Sequence, residues 1–218
     1  MNINSIRMKD KLIKDAWAVL LEEIQIANPA LPPLLNRGLP RNFVESEIQK
    51  FSVLLPEDLY HLYETSNGYN EELISEYGVG QISFFPDGMF NSFQIGVQVY
   101  KSRPPEDPFW KKGMFPVCDG FLGEYCLLNC EKESETYNMV SLYSPALPDH
   151  GCVVSKYDSL WHMLHTTAVC FQRGAYFYAR REDVGIDDSL YFETNRELEF
   201  KIAASLNLNS DFWKVFVP

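Results

Sequence analysis

The sequence lacks three features that would place the chain in or beyond a membrane. No run of about eighteen apolar residues is present, so no membrane span is expected. The N-terminal stretch MNINSIRMKDKLIKD carries charges where a secretory signal needs an apolar segment. Cysteines are few, and their odd number, 5, argues for reduced thiols rather than a disulfide framework. These absences predict a cytoplasmic protein with no membrane partner.

Positive charge is also scarce. The chain has 19 Lys and Arg against 30 Asp and Glu, which gives a net charge of −11. Such a surface repels phosphate backbones, so nucleic acid is not expected as a direct ligand. The same charge would attract a basic protein. Solubility alone is the plainer explanation of an acidic surface.

Several catalytic and metal-binding motifs are missing. There is no glycine-rich phosphate loop, no G-x-S-x-G and no H-E-x-x-H. Cys126 and Cys130 have C-x3-C spacing with Cys118 upstream, but no second ligand pair at zinc spacing follows. His162 and His165 are three residues apart without a carboxylate and a base beside them. We therefore expect buried structural thiols, no metal site and no cofactor.

A cysteine nucleophile remains as an alternative. Such a site needs a thiol, a histidine and an Asn or Asp brought together in space. Cys170 with His150 or His165 stays open, although nothing local in the sequence supports either pair. Asp119 and Glu124 could form a carboxylate pair across a turn, but the turn-forming role of Asp-Gly explains Asp119 more simply. We expect no catalytic residue and no enzyme activity.

The hydrophobic periodicity changes along the chain from helical to extended and back. A first helix is predicted from about Lys9 to Ile26, with Trp17 on its broad apolar face. The stretch LPEDLYHLYETSNG predicts a short helix, because Pro56 suits the first helical position and Asn67-Gly68 supply a left-handed stop. The other predicted elements are a helix opened by a capping box of Asn42 and Glu45, strands at 79–85, 114–118, 124–130, 137–143 and 152–155, a helix or strand at 91–101, and helices at 159–172 and 195–206.

Helices, then strands, then helices is the order typical of the α+β class. We predict a single domain in which an antiparallel sheet packs against N-terminal and late helices, with a C-terminal helical extension.

Four stretches of the sequence, taken in order, resemble the SUKH superfamily. The first is the lead-in GLPRNFVESEIQKF, which follows the helix that contains Trp17. The other three are LPEDLYHLYETSNG, FPVCDGFLGEYCLLN and DSLWHML. The superfamily includes fungal cell-wall assembly and glucan-synthesis regulators and many bacterial immunity proteins of toxin systems. The resemblance covers about residues 10–175. It implies a SUKH-like domain at 1–175, with residues 176–218 as an extension packed on the same domain, and a non-enzymatic binding module.

The function expected from this resemblance is that of an immunity protein that neutralises a cognate bacterial toxin. A regulatory scaffold of the cell-wall-regulator type and a metal- or cysteine-dependent hydrolase are the alternatives. The acidity favours a basic toxin domain as the partner. We expect the contact surface in the loop after the LPEDLYHLYETSNG helix, where carboxylates steer the partner and exposed tyrosines supply contact area. Its predicted residues are Tyr69, Glu71, Glu72, Glu76 and Tyr77. A solvated acidic loop without a ligand is the plainer alternative.

Overall fold

A long first helix, α1 (Ile3–Ala27), lies against a late helix, α7 (Leu160–Gln172), and against α3 (Glu57–Thr65). The chain is seen here in a computed structural model. It describes residues 3–51, 53–103, 110–120, 123–146, 153–180 and 189–215, with the side chains of 3–11 and 79 left out. The fold is α+β, with an antiparallel sheet packed against helices, as the sequence predicted.

The N-terminal part adds a small two-stranded sheet to the helices. Its elements after α1 are a 3-10 helix at Pro32–Leu34, β1 (Leu35–Arg37), α2 (Arg41–Ile48), α3 and β2 (Ser66–Tyr69). Strands β1 and β2 pair antiparallel. Helix α3 forms where it was predicted, but Asn67-Gly68 do not stop it. The helix ends at Thr65, and Gly68, with φ of 61°, lies within β2. A side chain there would meet the backbone of Asn91, so the glycine allows a close approach of two chains.

Within the described residues, the central sheet has five antiparallel strands in sequence order. The elements of this part are α4 (Glu71–Ile74), α5 (Val79–Ile82), β3 (Met89–Phe90), α6 (Phe93–Ser102), β4 (Met114–Asp119), β5 (Tyr125–Asn129), β6 (Val140–Tyr143) and β7 (Val153–Tyr157). The sheet order is β3-β4-β5-β6-β7, so each strand pairs with its neighbour in the chain. The strands predicted at 114–118, 124–130 and 137–143 are confirmed within a few residues. The ambiguous segment at 91–101 is the helix α6.

The C-terminal part is a hairpin followed by two helices. It consists of β8 (Tyr176–Arg180), β9 (Leu190–Thr194), α8 (Arg196–Leu206) and α9 (Phe212–Val215). Helix α8 packs on α7, and α9 packs on β7. Ile202 and Trp213 belong to the same buried cluster as Trp17. The predicted domain boundary at residue 175 stays a prediction.

Aromatic rings fill the middle of this cluster. Trp17 is 2% exposed; its ring stacks on Phe84 at 5.8 Å between centroids and lies 5.2 Å from Phe90. Tyr63 stacks on Phe90 at 5.9 Å and meets Phe93 edge-on at 5.4 Å. We call these five residues the aromatic centre. They join α1, α3 and α6 to the edge of the central sheet.

The strand predicted at 79–85 is wrong. Residues Val79–Ile82 form the helix α5, which opens with a hydrogen bond of 2.6 Å from the Gly78 N–H to Gln81 Oε1. The Gln81 amide then donates to the Tyr191 hydroxyl at 3.2 Å. Because this contact reaches β9, more than a hundred residues away, tertiary packing outweighs the strand propensity of the segment.

The capping box predicted at Asn42 and Glu45 is also wrong. Helix α2 begins two residues earlier, at Arg41 after an extended Pro40, and its cap has no side-chain hydrogen bond. Glu45 instead accepts from Arg41 Nε at 2.8 Å. The same guanidinium donates to Glu57 at 2.8 Å, so Arg41 ties α2 to the start of α3.

Candidate functional site

The segment after β2 presents carboxylates to solvent. Asn70 caps α4 by accepting a hydrogen bond of 3.0 Å from the Glu72 N–H. In and after this helix, Glu71, Glu72 and Glu76 are exposed. Tyr77 is 42% exposed beside them. Four of the five predicted contact residues therefore lie together on one exposed segment.

Tyr69, the fifth predicted contact residue, is buried, and its prediction as an exposed tyrosine is wrong. It is 3% exposed, and its ring meets Phe84 edge-on at 5.5 Å. Its backbone pairs with Leu35 in the β1-β2 sheet, which turns the side chain into the core. Burial raises the pKa of its hydroxyl well above the usual range.

Leu73 is a surface residue that the sequence reasoning missed. It is 48% exposed, between the glutamates and four residues before Tyr77. A leucine four residues before a tyrosine, within an otherwise acidic segment, is the sequence pattern that could have indicated an exposed apolar contact. Glu71, Glu72, Leu73, Glu76 and Tyr77 are called the acidic surface below.

A second candidate is a cavity of about 470 Å³ between the central sheet and the C-terminal helices. The turn at 86–87, strands β6 and β7, and helices α8 and α9 surround it. We call it the C-terminal cavity. Its charged lining residues are Asp87, Glu124, Lys156, Arg196 and Glu199.

A buried ion pair lies in the wall of this cavity. Lys156 Nζ is 2.6 Å from Asp87 Oδ1, and the two side chains are 4% and 9% exposed. The ammonium also lies 4.7 Å from the ring centre of Phe212 and 5.3 Å from that of Trp213. Burial lowers the pKa of Lys156, but the carboxylates of Asp87 and then Glu199 together outweigh it, so the pKa is raised and the lysine stays charged.

Two further carboxylates of the cavity are held by hydroxyl groups. Glu199 is 7% exposed, and its Oε1 accepts a hydrogen bond of 2.7 Å from the Tyr176 hydroxyl. Glu124 is half-buried, and its Oε1 accepts from the Ser144 hydroxyl at 2.9 Å. Both side chains are therefore fixed before any ligand arrives.

The thiols that the structure describes are buried in the protein. Cys118 and Cys126 face each other across β4 and β5, fully buried. Burial raises the pKa of Cys118, and the hydrogen bond with Cys118, together with burial, raises that of Cys126. Burial likewise raises the pKa of Cys170 to about 12. A thiol with such a pKa holds almost no thiolate at neutral pH. His150 and Cys152 lie outside the described residues.

The two histidines of α7 have structural partners. The His162 ring bonds the Ser159 hydroxyl at 2.8 Å, and the His165 ring stacks on Trp161 at 4.6 Å. Burial lowers the pKa of both rings. In the part of the chain that the structure describes, no three His, Cys, Asp or Glu side chains are grouped so as to hold a metal ion.

No protein-family model matches the chain, and no curated protein matches it. Among the described helices, none combines the length and the apolar character needed to cross a membrane.

Proposed function

We propose that this chain is a non-enzymatic protein-binding module that acts as an immunity protein against a basic bacterial toxin domain. The acidic surface is the observation that carries the proposal. It places Leu73 and Tyr77, both well exposed, among three exposed carboxylates. An apolar contact within a charged rim is the usual composition of a protein interface.

Charge and contact have separate roles at such a surface. Glu71, Glu72 and Glu76 would steer a basic partner toward the chain and raise its association rate. Leu73 and Tyr77 would supply the area that is removed from water in the complex. The net charge of −11 also favours a positively charged partner. The resemblance to the SUKH superfamily supports a toxin as that partner.

The state of the thiols disfavours the cysteine-dependent hydrolase. Cys118, Cys126 and Cys170 are buried, and the pKa of each is raised. A nucleophilic cysteine needs a lowered pKa and access to substrate. The regulatory scaffold uses the same surface, and only the nature of the partner separates it from the immunity protein.

The test begins with the gene that neighbours the one encoding this chain. We expect it to encode a long protein with a toxin-like C-terminal domain. That domain, expressed alone in a bacterial host, should arrest growth, and co-expression of this chain should restore growth. The two purified proteins should form a complex. A toxin domain that this chain neither binds nor neutralises would refute the proposal, and a non-toxic protein partner would favour the scaffold.

A further inference from the structure

We infer that the C-terminal cavity receives a cationic side chain, a guanidinium or an alkylammonium group, from the protein partner. The inference rests on the proposed function, because it takes the partner to be a basic protein. The cavity volume of about 470 Å³ lies within the range of ligand pockets, roughly 300–1,000 Å³. It therefore has room for an arginine or lysine side chain.

The balance of charge in the cavity favours a cation. Asp87 and Lys156 neutralise each other at 2.6 Å. Among the other charged lining residues that the structure describes, Glu124 and Glu199 are negative and Arg196, which is exposed, is positive. One negative charge is left over. A carboxylate as buried as Glu199 attracts a cation strongly, because little water screens the interaction. The same carboxylates would repel a phosphate or a carboxylate ligand.

The chain itself shows that the cavity wall accepts a cation. The Lys156 ammonium lies against the rings of Phe212 and Trp213 and is paired with Asp87. Aromatic faces attract cations, and a guanidinium adds stacking to that attraction. Phe200 also lines the cavity and meets Trp213 edge-on at 6.3 Å. A second cation would thus meet the same two kinds of group, carboxylate and ring.

The remaining carboxylates are held in place for such a ligand. Glu199 accepts from Tyr176, and Glu124 accepts from Ser144, each through Oε1. Fixed carboxylates lose little conformational entropy when a ligand binds. Two held carboxylates next to aromatic rings form a better site for an arginine than the exposed glutamates of the acidic surface.

The first experiment titrates the full-length, ¹⁵N-labelled chain with N-acetyl-arginine amide and follows its NMR spectrum. The Trp213 indole N–H, which donates to the Lys156 carbonyl at 2.8 Å, is the reporter. We expect a saturable shift with a Kd on the order of 1 mM, as suits one charged side chain. The uncharged isostere N-acetyl-citrulline amide should bind about tenfold more weakly or worse. No shift of the reporter at roughly 50 mM arginine probe would overturn the inference.

Two further probes test the nature of the ligand. One asks whether the cavity binds a side chain of a protein or a free small molecule, and the other asks whether it prefers a cation or an anion. A Gly-Arg-Gly peptide amide should bind within about threefold of the arginine probe, since the side chain alone enters the cavity. If free agmatine bound at micromolar levels while the peptide did not bind, the cavity would belong to a small molecule and the inference would be wrong. Saturable binding of sulfate, in preference to the arginine probe, would likewise overturn it.

Variants tie the binding to the cavity. In Glu124→Gln with Glu199→Gln, the amides keep an oxygen acceptor for Ser144 and Tyr176 but lose both charges. We expect about tenfold weaker binding of the arginine probe. The matched control, Glu71→Gln with Glu72→Gln, makes the same change of charge on the acidic surface and should leave the affinity within about twofold.

A third variant covers the case in which the cavity double variant does not fold. Arg196→Gln removes the exposed cation and should tighten binding of the arginine probe by about twofold. Weaker binding of this cationic probe after the change would contradict a cavity whose surplus negative charge attracts the ligand, and would overturn the inference. These probes need no toxin, so the cavity can fail while neutralisation succeeds through the acidic surface. An arginine-binding cavity can equally be found in a chain that neutralises nothing.

Discussion

Two buried regions of this protein are rich in aromatic rings but differ in charge. The aromatic centre, around Trp17 and Phe90, packs ring on ring. The wall of the C-terminal cavity holds the Asp87–Lys156 ion pair against Phe212 and Trp213. Removing apolar rings from water stabilises the fold directly. A buried ion pair returns little net stability, because each charge loses its hydration.

The difference indicates which region has room for a function. The aromatic centre holds no charged side chain, although the Tyr63 hydroxyl is buried there without a hydrogen-bond partner among the described residues. The cavity wall keeps charged groups buried at a cost in hydration free energy, beside a cavity of about 470 Å³. Proteins retain buried charges at functional sites more readily than where packing alone matters. Each prediction below tests one side of this comparison.

The largest loss of stability is expected in the aromatic centre. Trp17→Ala removes a ring that is 2% exposed and contacts Phe84 and Phe90. The free energy of unfolding should fall by about 3–5 kcal/mol. Trp161→Ala, a change of the same size at a half-buried ring on α7, should cost less than half as much. Urea denaturation of both variants gives the comparison, and equal costs would show that the centre is no better packed than the surface of α7.

A slightly smaller loss is expected in the cavity wall, for an electrostatic reason. Asp87→Asn leaves the Lys156 ammonium buried without its counterion. Lys156→Met likewise leaves the Asp87 carboxylate buried without its counterion. Each single change should cost about 3 kcal/mol. The double variant, Asp87→Asn with Lys156→Met, should cost clearly less than the sum, because no unpaired charge remains. Additive costs in urea denaturation would contradict a tightly coupled pair.

Trp17 of the aromatic centre could be predicted from the sequence as a core residue, and the cavity wall could not be predicted. Trp17 lies on a helical stripe that any reader of the sequence can see. Asp87 and Lys156 are 69 residues apart, and no periodicity relates them. Asp87 also lies in a Pro-Asp-Gly turn, a role that explains it completely when the sequence is read alone.

The errors in the predicted elements have the same origin. Local signals located α3, α7 and the central strands well, since short-range patterns specify them. The β8-β9 hairpin was not predicted, and α5 was predicted as a strand. These two elements contact each other through Gln81 and Tyr191. Contacts so distant in sequence leave no local pattern. On the acidic surface the carboxylates were found from charge alone, whereas the burial of Tyr69 depends on strand pairing.

Alkaline pH should destabilise the protein through thiols in both regions. Burial is a cause of the raised pKa of Cys118, Cys126, Cys130 and Cys170. Their stabilising contribution is complete below the unfolded pKa of about 9 and is lost as the pH rises toward the folded values. Each thiol should cost about 0.4 kcal/mol between pH 7 and pH 9. The four together should cost about 1.6 kcal/mol, measured by urea denaturation in reducing buffer.

Single cysteine variants then compare the two regions. Cys126, whose thiol donates to Asp87 at 3.7 Å, lies beside the ion pair, and Cys130 lies away from it. Cys126→Ala and Cys130→Ala should each reduce the loss between pH 7 and pH 9 by about 0.4 kcal/mol. If only Cys130→Ala did so, the Cys126 thiol would titrate like an exposed one, and water would reach the cavity wall.

The smallest effect on folding is expected for the acidic surface, which belongs to neither buried region. Changing Glu71, Glu72 and Glu76 to Gln alters exposed charges, so the free energy of unfolding should change by no more than about 0.5 kcal/mol. The association rate with the cognate toxin domain should nevertheless fall severalfold at low salt, because the carboxylates steer a basic partner. The difference should shrink as salt brings the Debye length below about 8 Å.

The matched control changes Glu131, Glu133 and Glu135, which are also exposed, by the same three charges. An equal fall in rate for both triple variants would mean that net charge, rather than this surface, attracts the partner.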